Sequence, residues 1–247
     1  MHTQPLIGLA ETLTVGSIEG FLTHRETEDL TPIMDEFLTN TTRSVFGTRR
    51  KTSIHEIPGH DTAEAMSIYE PAGRLEITEI PTAAEQLLQE AFARARPILA
   101  RTLPSVTSCR PWTYVEYGAG QHITAHIDGI APNPQCWPRQ IAGISVSISE
   151  QCHGGAFFVE TTSDPRIWNE ACSGGDGYDP AMRFAHDGAD NSSDWFRSMP
   201  RTRWSVAPAA GTALLYGSQL THGTHHVTGG HARKFISWLY ADNTQTA

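Results

Sequence analysis

The sequence of 247 residues is poor in basic side chains, and this shortage restricts the partners that the protein can bind. It contains 18 lysine and arginine residues against 27 aspartate and glutamate residues, so its formal net charge is −9. A protein that binds nucleic acid needs a basic patch to neutralise the phosphates. We therefore expect no nucleic-acid partner.

The sequence also has no long apolar run, and its four cysteines form no Cys-x-x-Cys pair. A membrane-spanning helix needs about 20 apolar residues, so we expect no membrane partner. The N-terminus lacks the basic and apolar segments that are typical of a secretory signal peptide. We therefore expect reduced thiols and a cytoplasmic protein. The cysteines are Cys109, Cys136, Cys152 and Cys172.

Two amphipathic helices are predicted in the first 111 residues. The spacing of apolar residues predicts one helix over 27–38 and another over 82–99. In the second helix, Thr82 is the expected N-cap and Glu85 completes a capping box, while Pro97 is expected to kink or split the helix. We interpret both as scaffold helices that pack on a sheet. The polar segment that follows the first helix carries a basic run at 49–51, which we interpret as a solvated loop.

The pattern changes to short strands beyond residue 111. Predicted strands cover 112–117, 121–128, 141–148, 155–160, 203–206, 212–216 and 234–240. Residues 161–202 lack periodicity and are predicted to form a long loop, in which scattered aromatic residues favour a lid. Many short strands after a helical N-terminal segment predict a mainly β fold with flanking helices.

The pair His126 and Asp128 is the centre of the candidate functional site. Residues two apart on a strand project from the same face, so an imidazole and a carboxylate point into one space. Such a pair supplies two ligands of the facial triad that binds non-haem iron. A surface pair that only shares a proton is the alternative interpretation. The third ligand must come from elsewhere, and a second His-rich stretch lies at 222–226.

The order of several residues resembles the iron(II)- and 2-oxoglutarate-dependent dioxygenases, in the prolyl-hydroxylase-like branch. The matching positions are Tyr117, His126, Asp128, Gly154-Gly155, His222 and Arg233. The likeness covers roughly residues 112–240, and it extends loosely to residues 20–23 and the polar helix after them.

The resemblance implies a double-stranded β-helix, which is a jelly-roll or cupin-like core. It implies one domain over residues 1–247. In that domain, residues 1–111 are an N-terminal segment of helices and strands, residues 112–240 are the jelly-roll core, and a lid-like insert occupies about 161–202.

The resemblance also implies a role for each matching residue. His126, Asp128 and His222 are expected to bind Fe(II), because the sequence at 227–230 resembles the turn that follows the distal His in the family. His226 and His225 stay open as the third ligand, since the gap between His222 and Arg233 is one or two residues longer than usual.

Two further residues are expected to bind the cosubstrate, 2-oxoglutarate. Arg233 is expected to bind its far carboxylate, because the planar fork of a guanidinium holds a carboxylate bidentately. Lys234 alternates to the opposite face of its strand, which argues against Lys234 in that role. Tyr117 is expected to form a hydrogen bond with the cosubstrate, and Tyr114 stays open as an alternative in that role.

The implied function is a hydroxylase that uses Fe(II), 2-oxoglutarate and O2 on a small molecule, such as an amino acid or a biosynthetic intermediate. Alternatives within the class are a peptidyl or prolyl hydroxylase, a desaturase and a cyclase. Alternatives outside it are a non-catalytic, cupin-like metal-binding protein and a β-sandwich interaction domain. The carboxylate of Asp128 disfavours the halogenases of the family, which have Gly or Ala there. No pattern in the sequence indicates the oligomeric state.

Overall fold

Two antiparallel sheets pack face to face, with helices against the larger sheet. The computed structural model describes residues 6–40, 57, 59–130, 133–148, 152–173, 175, 177–186 and 188–243, so the basic run at 49–51 lies outside the described residues. The helices are α1 (Leu9–Thr12), α2 (His24–Asn40), α3 (Thr62–Tyr69), α4 (Thr82–Leu99) and α5 (Asp194–Ser198), with a 3-10 turn at Pro165–Ile167.

The strands are numbered in chain order. They are β1 (Val15–Ile18), β2 (Leu75–Ile77), β3 (Ser108–Cys109), β4 (Thr113–Tyr117), β5 (Ile123–His126), β6 (Arg139–Ser147), β7 (Cys152–Gly154), β8 (Phe157–Thr161), β9 (Trp168–Ser173), β10 (Arg183–Ala185), β11 (Thr202–Val206), β12 (Ala213–Gly217), β13 (Thr221–Thr224), β14 (Val227–Gly230) and β15 (Ala232–Ala241). The larger sheet has the order β1-β12-β6-β15-β4-β2, with β3 paired to β15. The smaller sheet has the order β11-β8-β13-β5, and β9–β10 and β7–β14 form separate pairs.

The central strands of the larger sheet are buried on both faces. Its outer face carries Tyr114 and Phe235, which belong to one core cluster with Leu30 and Met34 of α2 and Leu88 of α4. Its inner face turns toward the smaller sheet and lines a cavity between the two. The helices therefore cover one face of the sheet, and the other face remains available for a functional site.

Both predicted helices are present: α4 has the predicted ends, whereas α2 is longer at each end than the predicted 27–38. α2 begins at His24 after a reciprocal pair of hydrogen bonds, in which Glu26 N donates to Thr23 Oγ1 at 3.2 Å and Thr23 N donates to Glu26 Oε2 at 2.8 Å. The N-cap of α4 is Pro81 and not Thr82, and proline has no side-chain acceptor, so the helix has no side-chain cap. The Glu85 carboxylate accepts the Trp112 N–H at 2.9 Å. α4 also continues past Pro97 as one helix.

The insert at 161–202 is more regular than the predicted loop. It contains the 3-10 turn, the β9–β10 pair and α5. Phe196 and Met199 are buried in one cluster with Ala125 and Phe158 of the smaller sheet. The apolar residues that anchor the insert are irregularly spaced, so the sequence pattern did not reveal these elements. The sequence also did not predict α3 or β2. Among the described residues, the model contains no helix with the length and apolar character of a membrane span.

We predict that Gly217→Ala destabilises the fold. A Cβ at Gly217 would lie inside the van der Waals distance of the Thr12 backbone, and Gly217 N donates to Thr14 O at 2.7 Å, so the two segments cannot separate freely. Overpacking of this kind costs about 1–3 kcal/mol. Gly16→Ala in β1 is the matched control, because no atom lies within 4 Å of a Cβ there. Urea unfolding should show the loss only for Gly217→Ala, and equal stabilities would contradict the prediction.

Candidate metal centre

The fold brings together three side chains from two neighbouring strands. β13 pairs with β5 so that His222 lies opposite His126, and Asp128 follows two residues after His126. Asp128 Oδ1 lies 3.5 Å from His126 Nε2 and 3.9 Å from His222 Nε2. One ligand atom from each residue lies within 4.8 Å of the other two, and no other such group of potential metal ligands occurs among the described residues.

The two imidazoles are oriented as metal ligands by backbone hydrogen bonds. The Nδ1–H of His126 donates to Thr124 O at 2.8 Å, and the Nδ1–H of His222 donates to Leu220 O at 2.9 Å. This assignment leaves the lone pair of each ring on Nε2, which is the atom that faces Asp128. Burial lowers the pKa of His222 to about 4, so its ring is neutral at pH 7, as a ligand must be.

Aromatic rings surround the three ligands. The Tyr216 ring centre lies 4.4 Å from that of His222, and the Tyr69 ring meets His126 edge-on at 5.1 Å. A site with two imidazoles and one carboxylate on one side leaves positions open on the other side, which suits Fe(II). The residues present therefore fit the predicted iron site.

The structure places the alternative ligands elsewhere. The exposed His226 ring stacks on His122 with ring centres 3.7 Å apart. His225 Nε2 lies 2.8 Å from Ser205 Oγ on the smaller sheet. Neither ring lies in the group of His126, Asp128 and His222, so the geometry favours His222 among the three candidates.

The ligands open onto a small cavity between the two sheets. This cavity has a volume of about 40 Å³ and is lined by side chains from both sheets and by Arg74. A larger cavity of about 450 Å³ adjoins it and shares the wall residues Ser145, Phe157 and Lys234. Lys234 therefore lies between the metal ligands and the larger cavity.

Arg233, which the sequence led us to expect as the carboxylate-binding residue, contacts residues away from the metal ligands. Its guanidinium lies on the outer face of the larger sheet, where it donates to Tyr114 Oη at 2.5 Å and to Asp35 of α2 at 2.9 Å. Neighbouring residues on a strand point to opposite faces, and the pairing of β15 with β4 turns the other residue, Lys234, inward. The sequence showed that the two basic residues diverge, but it did not show which one faces the site.

Lys234 is a partly buried cation on the wall of the cavity that the metal ligands share. Its Nζ lies 3.4 Å from Thr224 Oγ1 and 5.1 Å from the centre of the Tyr117 ring. No carboxylate within the described part of the chain lies at ion-pair distance from Lys234. Burial, and secondarily the charge of Arg74, lower the pKa of Lys234 to about 8. Lys234 is therefore protonated at pH 7 and suited to an anionic ligand.

Tyr117 lies on the wall of the same cavity. Its hydroxyl accepts a hydrogen bond from Arg74 Nη1 at 2.7 Å. Sequence reasoning missed Arg74 and also Tyr69, whose hydroxyl donates to Asp190 Oδ2 at 2.8 Å. No periodic pattern marks these residues, because the segment of α3 and β2 packs beside the core only in the folded protein.

No family model and no curated protein matches the sequence. Solved structures do match. A viral collagen prolyl hydroxylase of Paramecium bursaria Chlorella virus-1, in a 2OG complex, has 12% identity and a TM-score of 0.52 over 95% of this chain and 99% of that chain. A Pseudomonas putida prolyl-4-hydroxylase has 12% identity and a TM-score of 0.53 over 94% and 95%.

A third similar structure is a prolyl hydroxylase from Trichoplax adhaerens in complex with a peptide fragment of the hypoxia inducible factor oxygen degradation domain. It has 10% identity and a TM-score of 0.55 over 94% of this chain and 88% of that chain. At these identities the likeness establishes a shared fold. The predicted jelly-roll core is therefore confirmed.

We predict that the protein binds one divalent metal ion and that His222→Ala abolishes this binding. Removal of one imidazole leaves two ligands and a cavity in the site. Co(II) titration, followed by visible absorption and isothermal calorimetry of protein without a His-tag, measures the stoichiometry. His226→Ala is the matched control and should bind Co(II) as the unmodified protein does. The ligand assignment would be wrong if His226→Ala lost the metal and His222→Ala kept it.

Proposed function

We propose that the protein is an Fe(II)- and 2-oxoglutarate-dependent oxygenase that hydroxylates a C–H bond. One observation carries this proposal: the buried group of His126, Asp128 and His222 shares a cavity with the ammonium of Lys234, which has no carboxylate partner in the described structure. Many proteins contain a similar set of metal ligands. Here a cation lies beside the ligands, and 2-oxoglutarate could bind both, because it chelates the metal at one end and carries a second carboxylate at the other.

The proposal assigns a physical task to each residue. His126 Nε2, Asp128 and His222 Nε2 would hold Fe(II). When bound, iron, O2 and 2-oxoglutarate together supply the oxidation of the C–H bond, and 2-oxoglutarate is converted to succinate and CO2. Lys234 and Tyr117 would bind the far carboxylate of 2-oxoglutarate by charge-assisted hydrogen bonds.

The insert at 161–202 forms part of the wall around the ligands. Ile127 N donates to Ala189 O at 3.1 Å, and Asp190 lies opposite His126 in an isolated β-bridge. Asp190 also accepts the Tyr69 hydroxyl, so it joins the insert to α3. We propose that the insert holds β5 in place and limits the entry of water, which is the task predicted for a lid.

The substrate has two candidate classes. The sequence led us to expect a small molecule. The similar structures are prolyl hydroxylases and one of them contains a peptide, which fits a peptidyl or prolyl substrate at least as well. A non-catalytic, cupin-like protein would need the metal ligands but not Lys234, so the buried ammonium supports an enzyme over that alternative.

We predict that the iron-loaded protein converts 2-oxoglutarate to succinate and adds one oxygen atom to its substrate. The protein would be incubated without air with Fe(II), 2-oxoglutarate and either free amino acids or proline-containing peptides, and then exposed to air. Mass spectrometry reports the mass gain, and a desaturase would instead give a product lighter by two hydrogen atoms. His222→Ala is the inactive control. A metal-loaded protein that consumed no 2-oxoglutarate with any substrate would favour the cupin-like alternative.

We predict that Lys234→Met weakens 2-oxoglutarate binding about 10- to 100-fold, because a hydrogen bond to a charged group is worth about 1.5–3 kcal/mol. Arg233→Met is the matched control and should change the affinity little, since its guanidinium faces α2. Calorimetry on the Co(II)-loaded protein measures both affinities. The reverse result would restore Arg233 as the carboxylate-binding residue.

We also predict that the affinity for 2-oxoglutarate falls as the pH rises above about 8. Burial lowers the pKa of Lys234 to about 8, so the ammonium that binds a carboxylate is present below this pH and is lost above it. Each further pH unit should weaken binding toward tenfold. The Lys234→Met variant should show no such dependence between pH 7 and 9. A pH dependence that persisted in this variant would assign it to another group.

A further inference from the structure

Arg74 is a buried charged residue to which the sequence assigned no role. It lies between α3 and β2, its side chain is only 3% exposed, and it forms part of the wall of the metal-side cavity. It does not belong to the group of metal ligands. The proposed function leaves it without a task.

The guanidinium of Arg74 contacts three groups, as one ion pair and two hydrogen bonds. Its Nε lies 2.7 Å from Glu70 Oε1, its Nη2 donates to Glu76 Oε2 at 2.7 Å, and its Nη1 donates to Tyr117 Oη at 2.7 Å. Both carboxylates are almost completely buried. Burying three charges costs free energy that their attraction often does not recover, so stability alone is a weak reason for this arrangement.

The direction of the hydrogen bond at Tyr117 gives a better reason. A guanidinium has donors and no acceptor, so the Tyr117 oxygen must accept from Arg74, and the phenolic proton must point to another acceptor. The Tyr117 ring lies on the cavity wall beside Lys234. Tyr117 and Lys234 line the same cavity, so the phenolic O–H and the Lys234 ammonium would be two donors available to one ligand there.

We propose that Arg74 is a positioning residue that holds Tyr117 as a hydrogen-bond donor to the far carboxylate of the 2-oxo acid. Glu70 and Glu76 hold the guanidinium in place and offset its charge. This inference rests on the proposed function, since it needs 2-oxoglutarate or a related dicarboxylate in the cavity.

A double-mutant cycle tests whether Arg74 acts through Tyr117. The variants are Tyr117→Phe, the neutral triple variant (Glu70→Gln, Arg74→Met and Glu76→Gln) and their combination. The readout is the affinity of the Co(II)-loaded protein for 2-oxoglutarate, measured by calorimetry. We expect about tenfold weakening for Tyr117→Phe, about tenfold for the triple variant and again about tenfold for the combination. A combined loss of about 100-fold, or an unchanged affinity in the triple variant, would overturn the proposal.

Two single substitutions test the same point without removing the charges of Glu70 and Glu76. Arg74→Lys keeps a side chain that can only donate, so the affinity for 2-oxoglutarate should stay within about threefold of the unmodified protein. Arg74→Gln introduces a carbonyl that can accept the phenolic proton, so the affinity should fall about tenfold. Equal affinities in the two variants would show that Arg74 has only a structural role.

Controls separate this inference from the proposed function. The Co(II) absorption spectrum reports whether each variant retains the metal site. Arg203→Met removes the ion pair of Arg203 with Glu160 on the smaller sheet, and it should leave the affinity for 2-oxoglutarate unchanged. An unmodified protein that binds Co(II) but not 2-oxoglutarate would overturn the proposed function and this inference with it. If the unmodified protein binds 2-oxoglutarate but the losses of affinity in the double-mutant cycle are independent, only this inference would be overturned.

Discussion

The antiparallel pairing of β13 with β5 is the interaction on which the candidate site depends. It sets His222 opposite His126, with ring centres 4.5 Å apart, and Asp128 completes the group. A slip of one residue would turn one imidazole to the other face of the sheet. Gly223 helps to hold this register, because a Cβ there would collide with the Phe158 ring and the Ile123 carbonyl. The close approach of three strands therefore fixes the metal ligands.

The charged groups around the cavity differ in how they are compensated. Arg74 is offset by Glu70 and Glu76, whereas Lys234 has no such partner within the described structure. A buried ammonium is unfavourable, as the lowered pKa of Lys234 indicates. A ligand that brings a carboxylate would remove this cost, and functional sites commonly hold groups with such perturbed pKa values. This uncompensated cation is the feature on which the proposed binding of an anionic cosubstrate rests.

Much of the fold could be predicted from local patterns. The apolar spacing of α2 and α4 and the short strands of the core follow from the periods of helix and strand, which are properties of neighbouring residues. The secondary structure of the insert could not be predicted. Its buried residues Phe196 and Met199 pack against the smaller sheet, and they do not belong to a periodic apolar pattern in the sequence. The predicted capping box of α4 is absent because the helix begins one residue earlier than a Thr82 N-cap requires, which leaves Pro81 at the N-cap, and Glu85 has a partner distant in sequence.

The sequence by itself determined the chemistry that is available: an imidazole and a carboxylate two residues apart, a distant cluster of imidazoles and two adjacent basic residues. Only the tertiary structure decided that His222 joins the ligands and that Lys234, not Arg233, faces them. It also brought Arg74 to Tyr117 across 43 residues of sequence. The physical reason is the same in each case. Alternation along a strand separates two faces, but the pairing of strands and the packing of sheets and helices decide which face becomes the inside.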